Sequence, residues 1–177
     1  SIQNLKQSEG IDIFLDLKLH DIPNTIKGAT HSISSLNPRF LTVHASGGRA
    51  MISAAAEEAD STLITAVTVL TSLTEEDLGE IGYSKNALKT ALEMAKYSVE
   101  SGARAIVCSP FEVSAIRGIV PSDITLITPG VRPADSDIGD QKRVMTPREA
   151  ISAGADFVVI GRPITSYSKV SLAAMKN

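Results

Sequence analysis

The sequence predicts an α/β fold, a (β/α)8 TIM barrel of which about six βα units lie within these 177 residues. Three observations predict it. Apolar runs of strand length alternate with amphipathic stretches of helical length, the pattern of βαβ units and a parallel sheet. Helical stretches end at glycine just before the next apolar run, as in Ser101-Gly102-Ala103 and Ala153-Gly154-Ala155. The last two apolar runs lead into Gly-Val-Arg and Gly-Arg turns, at a position where such barrels often bind phosphate.

Taken in order, the first strand is read over Ile13 to Leu19, followed by a helix over Asn24 to Leu36. A strand over Leu41 to Ala45 leads into a helix over Gly48 to Ala59. The third unit pairs Leu63 to Leu70 with Leu88 to Ser101, and the fourth pairs Ala105 to Ser109 with Glu112 to Ile119. Thr125 to Thr128, Pro147 to Ala153 and Phe157 to Gly161 complete the alternation. No Pro/Ser/Gly-rich linker interrupts it, so residues 1–177 read as a single domain.

Six units do not close an eight-stranded barrel. Such barrels take roughly 250 residues and seldom fewer than about 200, and a βαβ motif needs about 30. The chain starts at Ser1 with a helical-looking piece, Ile2 to Glu9, running into the first strand. The reading therefore expects two further βα units upstream. An open six-stranded doubly wound sheet is the alternative.

Bulk composition narrows the function. A hydrophobic content of 43% supports one well-packed core. The net charge of −3 and the absence of a basic tract speak against nucleic acid as the main partner, while leaving room for a local positive pocket. No apolar run approaches a membrane span, and no signal-peptide pattern opens the chain. The single cysteine, Cys108, excludes an intrachain disulfide and fits a cytoplasmic protein. Within Ala105-Ile106-Val107-Cys108-Ser109 it reads as a small buried hydrophobe. His20, His31 and His44 form no ligand pair at helical spacing, and zinc-type Cys/His spacing is absent.

The chemistry concentrates in Phe14-Leu15-Asp16-Leu17-Lys18-Leu19-His20-Asp21-Ile22-Pro23-Asn24-Thr25. In a regular strand Asp16 and Lys18 share a face. Asp21 falls just beyond, where Pro23 turns the chain out of the sheet. Opposite charges at the exit of a buried strand are costly to desolvate unless they are paired or used, which points to an active site. The competing view makes Asp21 a helix N-cap and Asp16–Lys18 a surface pair on an edge strand. The near-continuous apolarity of Ile11, Ile13, Phe14, Leu15, Leu17 and Leu19 favours a strand covered on both sides.

Counting the two expected units, Thr125 to Thr128 is strand seven and Phe157 to Gly161 strand eight. They lead into Pro129-Gly130-Val131-Arg132-Pro133 and Gly161-Arg162-Pro163-Ile164-Thr165. Each turn offers a glycine for close backbone approach and an arginine for bidentate phosphate contact. Between them Pro133 to Thr146, with Gly139-Asp140-Gln141, reads as a polar lid. Ordinary turn chemistry with solvated arginines is the plain alternative.

Asp16-Leu-Lys18-Leu-His-Asp21-Ile-Pro-Asn-Thr25 resembles the signature of bacterial orotidine 5′-phosphate decarboxylases. Val43-His44-Ala45-Ser46-Gly47-Gly48, Ala66 to Ser72, Thr128-Pro-Gly-Val-Arg132-Pro, Gly139-Asp-Gln141 and Val159 to Thr165 follow in that family's order. The resemblance implies a homodimeric barrel with a shared active site, converting orotidine 5′-monophosphate to UMP and CO2 without metal or organic cofactor. It implies that Lys18 stabilises and protonates a C6 carbanion, that Asp16 stands by the departing carboxylate, and that Asp21 and Thr25 reach into the partner's site. Thr71 and Ser72 would address the pyrimidine edge. Pro129, Arg132, Gln141, Gly161 and Arg162 would hold the phosphate and close the lid. The family's further aspartate and lysine belong to the two strands expected upstream. Metal-dependent sugar-phosphate decarboxylases and hexulose-phosphate synthases share the Asp-x-Lys-x-x-Asp pattern and remain an alternative, as does a non-catalytic nucleotide-binding barrel.

Overall fold

A computed structural model describes residues 11–84, 86–131 and 145–161. The expected helix over Ile2 to Glu9 and most of the proposed lid lie outside these residues. Six strands, β1 (Phe14–Leu19), β2 (Phe40–His44), β3 (Leu63–Val67), β4 (Ala105–Val107), β5 (Thr125–Thr128) and β6 (Phe157–Val158), form one sheet in sequence order. Every neighbouring pair is parallel. The helices between them are α1 (Pro23–Ser34), α2 (Gly48–Glu57), α3 (Glu75–Glu80), α4 (Ala87–Glu100), α5 (Val113–Arg117) and α6 (Pro147–Ser152).

Sequential order decides between the two architectures. Right-handed crossovers that always step in one direction put every helix on the same face, whereas a doubly wound sheet reverses direction partway. The helix-side core gathers Leu41, Val43, Ile64, Ala66, Ile106 and Leu126 against Ile26, Met51, Ile52, Ala91 and Ile116. The opposite face carries its own cluster of Phe40, Ala105 and Ile127, backed by Phe14, Leu63 and Val107. In a flat sheet β2 and β6 would stand about 19 Å apart, four strand spacings. The rings of Phe40 and Phe157 nevertheless meet edge-to-face at 5.6 Å, and Phe14 lies 5.9 Å from Phe40. The sheet is therefore curled into a barrel wall, six strands of it among the described residues, with aromatic rings across the floor. The guanidinium of Arg39 covers that floor, 5.2 Å from both the Phe40 and Phe157 ring centres.

Helix boundaries follow local chemistry. Pro23 opens α1, where a missing N–H costs nothing. Ile22, not Asp21, is the N-cap, and it makes no side-chain capping bond. At the end of α4, Gly102 adopts φ +102, and a Cβ there would come within 2.7 Å of the Ala56 methyl, so glycine is required twice over. Helix α3 departs from the sequence expectation, being absent from the predicted elements. It has six residues and one buried apolar side chain, Leu78, so no periodicity announces it. A reciprocal capping box between Thr74 and Asp77 starts it instead.

Cys108 is buried, 1% exposed, and burial pushes its thiol pKa far up, as expected of a packing residue. β1 differs from expectation. It pairs with β2 alone among the described residues, and Leu17 is half exposed. An apolar run marks the need for cover without naming the element that supplies it.

At the lower rim Arg117 ties α5, β5 and β6 together. It donates to the Ile124 carbonyl (2.7 Å), the Gly154 carbonyl (3.1 Å) and the Asp156 carboxylate (2.6 Å). Asp156 in turn accepts from the Leu126 N–H at 2.7 Å. Arg117→Ala should lower stability by about 1.5–3 kcal/mol, the range for hydrogen bonds to a charged group. Urea unfolding checks this, and an unchanged midpoint would show that the network contributes nothing net.

Candidate active site

Barrel chemistry belongs at the C-terminal ends of the strands, and Asp16 and Lys18 lie toward that end of β1. Their setting is irregular. Between Leu15 and Leu19, β1 takes four steps while β2 takes only two, from Leu41 to Val43. Asp16, Leu17 and Lys18 occupy this bulge, and Lys18 has φ +49. Bulges re-aim side chains. Here the Lys18 ammonium lies 2.5 Å from Asp16 Oδ2. The expected pair thus forms, through a bulge rather than through regular alternation.

Both partners are about two-fifths exposed, 41% for Lys18 and 45% for Asp16. The expected desolvation is therefore not met by the described residues, because β1 is an edge of their sheet. What the described residues do supply is Thr42 on β2, fully buried. Its hydroxyl accepts from the Lys18 N–H at 2.8 Å and donates to Asp16 Oδ1 at 3.0 Å. Sequence reasoning passed over Thr42. The signal was available, since Thr42 and His44 are the polar members of one face of an otherwise apolar strand.

Asp21 stays apart from this cluster. It is exposed, and its carboxylate accepts the Ile22 N–H at 2.7 Å. Thr25, one helical turn further, is also exposed. Thr71 borders a small cavity of about 20 Å³ with Ser109, Glu112 and Gly130, so the ends of β3, β4 and β5 converge there. Ser72 is exposed beside it, and Pro129 is half-buried before Gly130, which has φ +79. Gly161 is exposed, and among the described residues a Cβ on it would meet nothing within 4 Å. Arg132, Gln141 and Arg162 lie outside the described residues.

Two histidines also reach the rim. The His20 and His44 rings are 5.5 Å apart, and both line a cavity of about 150 Å³ with Ser46, Thr68, Leu70 and Tyr83. Burial first, then His20 and Lys18, push the His44 pKa below its ordinary value, against the opposing pull of Asp16. Among the described residues no group of three or more His, Cys, Asp or Glu side chains is placed to hold a metal ion. None of the described helices is long and apolar enough to cross a membrane.

Residues 1–176 match the family model described as "Orotidine 5'-phosphate decarboxylase / HUMPS family". The chain is 58% identical over 162 residues to an orotidine 5′-phosphate decarboxylase of Thermobifida fusca, covering 92% of this chain and 70% of that protein. It is 52% identical over 163 residues to one from Frankia casuarinae, covering 92% of this chain and 60% of the relative. A crystal structure of orotidine 5′-phosphate decarboxylase from Lactobacillus acidophilus superposes with a TM-score of 0.83 at 36% identity, over 99% of this chain and 78% of that one.

The lowered His44 pKa has a stability consequence. The folded protein binds this proton more weakly than the unfolded chain, so protons favour unfolding as pH falls below about 6.5. The contribution is intact above that value and lost as pH drops through the folded-state pKa. The urea midpoint should fall between about pH 7 and pH 5, and less steeply in His44→Gln. Equal slopes in the two proteins would show that His44 does not carry the effect.

Proposed function

The chain belongs to the orotidine 5′-phosphate decarboxylase / HUMPS family, and we propose that its protein decarboxylates orotidine 5′-monophosphate to UMP and CO2 in pyrimidine biosynthesis. The observation that carries this reading is the Lys18–Asp16 ion pair, built into a bulge near the C-terminal end of a barrel strand. The relatives named above are orotidine 5′-phosphate decarboxylases, and the blocks Asp16 to Thr25 and Val159 to Thr165 are highly specific parts of the resemblance.

The reaction breaks the C6–carboxylate bond so that CO2 departs and the electron pair stays on C6. With no electron sink in the pyrimidine, the developing charge must meet preorganised positive charge. Lys18 is the described group suited to this. Its ammonium stabilises the carbanion and then transfers a proton to C6, giving UMP and a neutral amine that regains its proton from solvent. Asp16 holds the ammonium in place and faces the departing carboxylate. Thr71 and Ser72 address the base.

At the phosphate, Gly161 follows β6, a position where such barrels often bind that group. With Pro129, Arg132, Gln141 and Arg162 it would hold the phosphate, whose binding energy is spent on closure and orientation. The protein works as a homodimer in the cytoplasm in this reading. Asp21 and Thr25, exposed together at the start of α1 and outside the Lys18 pair, serve the partner's site.

Lys18→Ala in the whole protein should lose turnover of orotidine 5′-monophosphate by more than about 10²–10⁴-fold, the range for proton transfer alone, because carbanion stabilisation goes with it. CO2 release measures this, and near-normal turnover would sink the assignment.

The shared site has its own test. A Lys18→Ala protein mixed with an Asp21→Ala protein should regain activity, since one site of each hybrid dimer receives both native residues. No recovery after verified subunit exchange would place Asp21 within its own chain's site.

A further inference from the structure

We propose that Thr42 is a positioning residue: its buried hydroxyl holds the bulge of β1 in the conformation that aims Lys18 at its target. The inference rests on the decarboxylase reading for its kinetic consequence, though not for its structural one.

Three observations converge on Thr42. Lys18, Asn37 and Asp60 are the non-glycine residues with positive φ among those described. Asparagine and aspartate enter the left-handed region readily, and lysine does not. Something outside its own preferences must therefore hold Lys18 at φ +49. The β1–β2 ladder does not do it, because its register breaks between Leu15 and Leu19. At that break the Lys18 N–H turns to the Thr42 hydroxyl at 2.8 Å.

The same oxygen donates its proton to Asp16 Oδ1 at 3.0 Å, leaving Oδ2 to the Lys18 ammonium at 2.5 Å. One hydroxyl thus fixes the backbone of the proton donor and the orientation of the carboxylate that holds its side chain. Donor and acceptor bookkeeping closes: one proton given, one accepted. Thr42 is fully buried in the sheet, whereas both charged groups it serves are substantially exposed, so it is the ordered member of the trio.

A hydroxyl is needed and a methyl is not. Thr42→Val keeps shape and burial but removes both hydrogen bonds, and Thr42→Ser keeps both. In the whole protein Thr42→Val should lower kcat for orotidine 5′-monophosphate by about ten- to a hundredfold, the scale for misplacing a reacting group by about 1 Å. UMP should bind with a Kd within about threefold of the native value, because Thr42 is not among the binding groups. Thr42→Ser should recover most of kcat.

A second arm needs no turnover. Hydrogen exchange at the Lys18 amide should quicken about tenfold or more in Thr42→Val and stay near native in Thr42→Ser, because that amide loses its acceptor only in the first. Native Lys18 exchange and kcat in a folded Thr42→Val protein would overturn the proposal. So would faster exchange with kcat unchanged, or equal losses in the Val and Ser variants. If the native protein itself leaves orotidine 5′-monophosphate unchanged, the decarboxylase reading fails, and the exchange arm still decides whether Thr42 holds the bulge.

Discussion

Everything in this structure depends on the curl of the sheet. Six parallel strands with all helices on one face leave the other face to bury itself, and it does so by rolling until β2 and β6 touch through Phe40 and Phe157. Along the interior face the residue type then changes with height. Phe14 and Phe40 fill the floor at the N-terminal ends of β1 and β2. Thr42 and His44 on β2, and Asp16 and Lys18 on β1, stand progressively higher. Apolar packing thus anchors one end of each strand and leaves the other to polar chemistry, which is why site residues can be spread over several strands without a separate scaffold.

The energetics at the rim differ in kind from those at the floor. An ion pair as exposed as Asp16–Lys18 is worth about 0–1 kcal/mol. A left-handed lysine costs about 1–2 kcal/mol. The pair therefore does not stabilise its own geometry, and the conformation persists because the Thr42 bonds and the buried body of β2 impose it. Strain held by surrounding structure is a mark of functional sites, with inference running from the observed outlier to the role. At the opposite rim Arg117 makes comparable polar contacts to Ile124, Gly154 and Asp156, and the one partner at positive φ, Gly154 (φ +111), is a glycine, which adopts it without a Cβ clash. Similar bonds stabilise in one place and constrain in the other.

Most of the architecture was legible in the residues because it rests on periodicity. All six strands and five of the six helices follow from apolar runs and their spacing, with ends shifted by a few residues where strands stop at Val67 and Val158 rather than at Leu70 and Gly161. Features of another origin were not legible. The short helix at Glu75–Glu80 rests on a capping box, and the bulge rests on register, which no single strand's sequence encodes. Asp16 and Lys18 stood out because charges in an apolar run are conspicuous. Thr42 did not, because a threonine in a strand is compatible with plain β-propensity. His44 was weighed as a metal ligand and as part of the Val43 to Gly48 block, with no role given to it, although its nearness to His20 comes from the convergence of β1 and β2 at the rim.

Curl also explains how distant stretches of chain can serve one ligand. The Asp16–Lys18 pair lies on β1 and Gly161 follows β6, at opposite edges of the described sheet. Flattened, those strands would stand about 24 Å apart, five strand spacings, so no single small nucleotide could meet Lys18 and Gly161 together, as the proposed function requires. Rolled, the two edges are linked through the Phe14–Phe40–Phe157 ring contacts. Substitutions that loosen the floor, at Phe40 or Phe157, would therefore act on the proposed site without touching it, by changing the span between Lys18 and Gly161. A decarboxylase that draws on remote phosphate binding to drive chemistry at C6 depends on that span being fixed. Under the proposed function the aromatic floor and the charged rim form one device, packing at the bottom setting the distance over which binding energy is transmitted at the top.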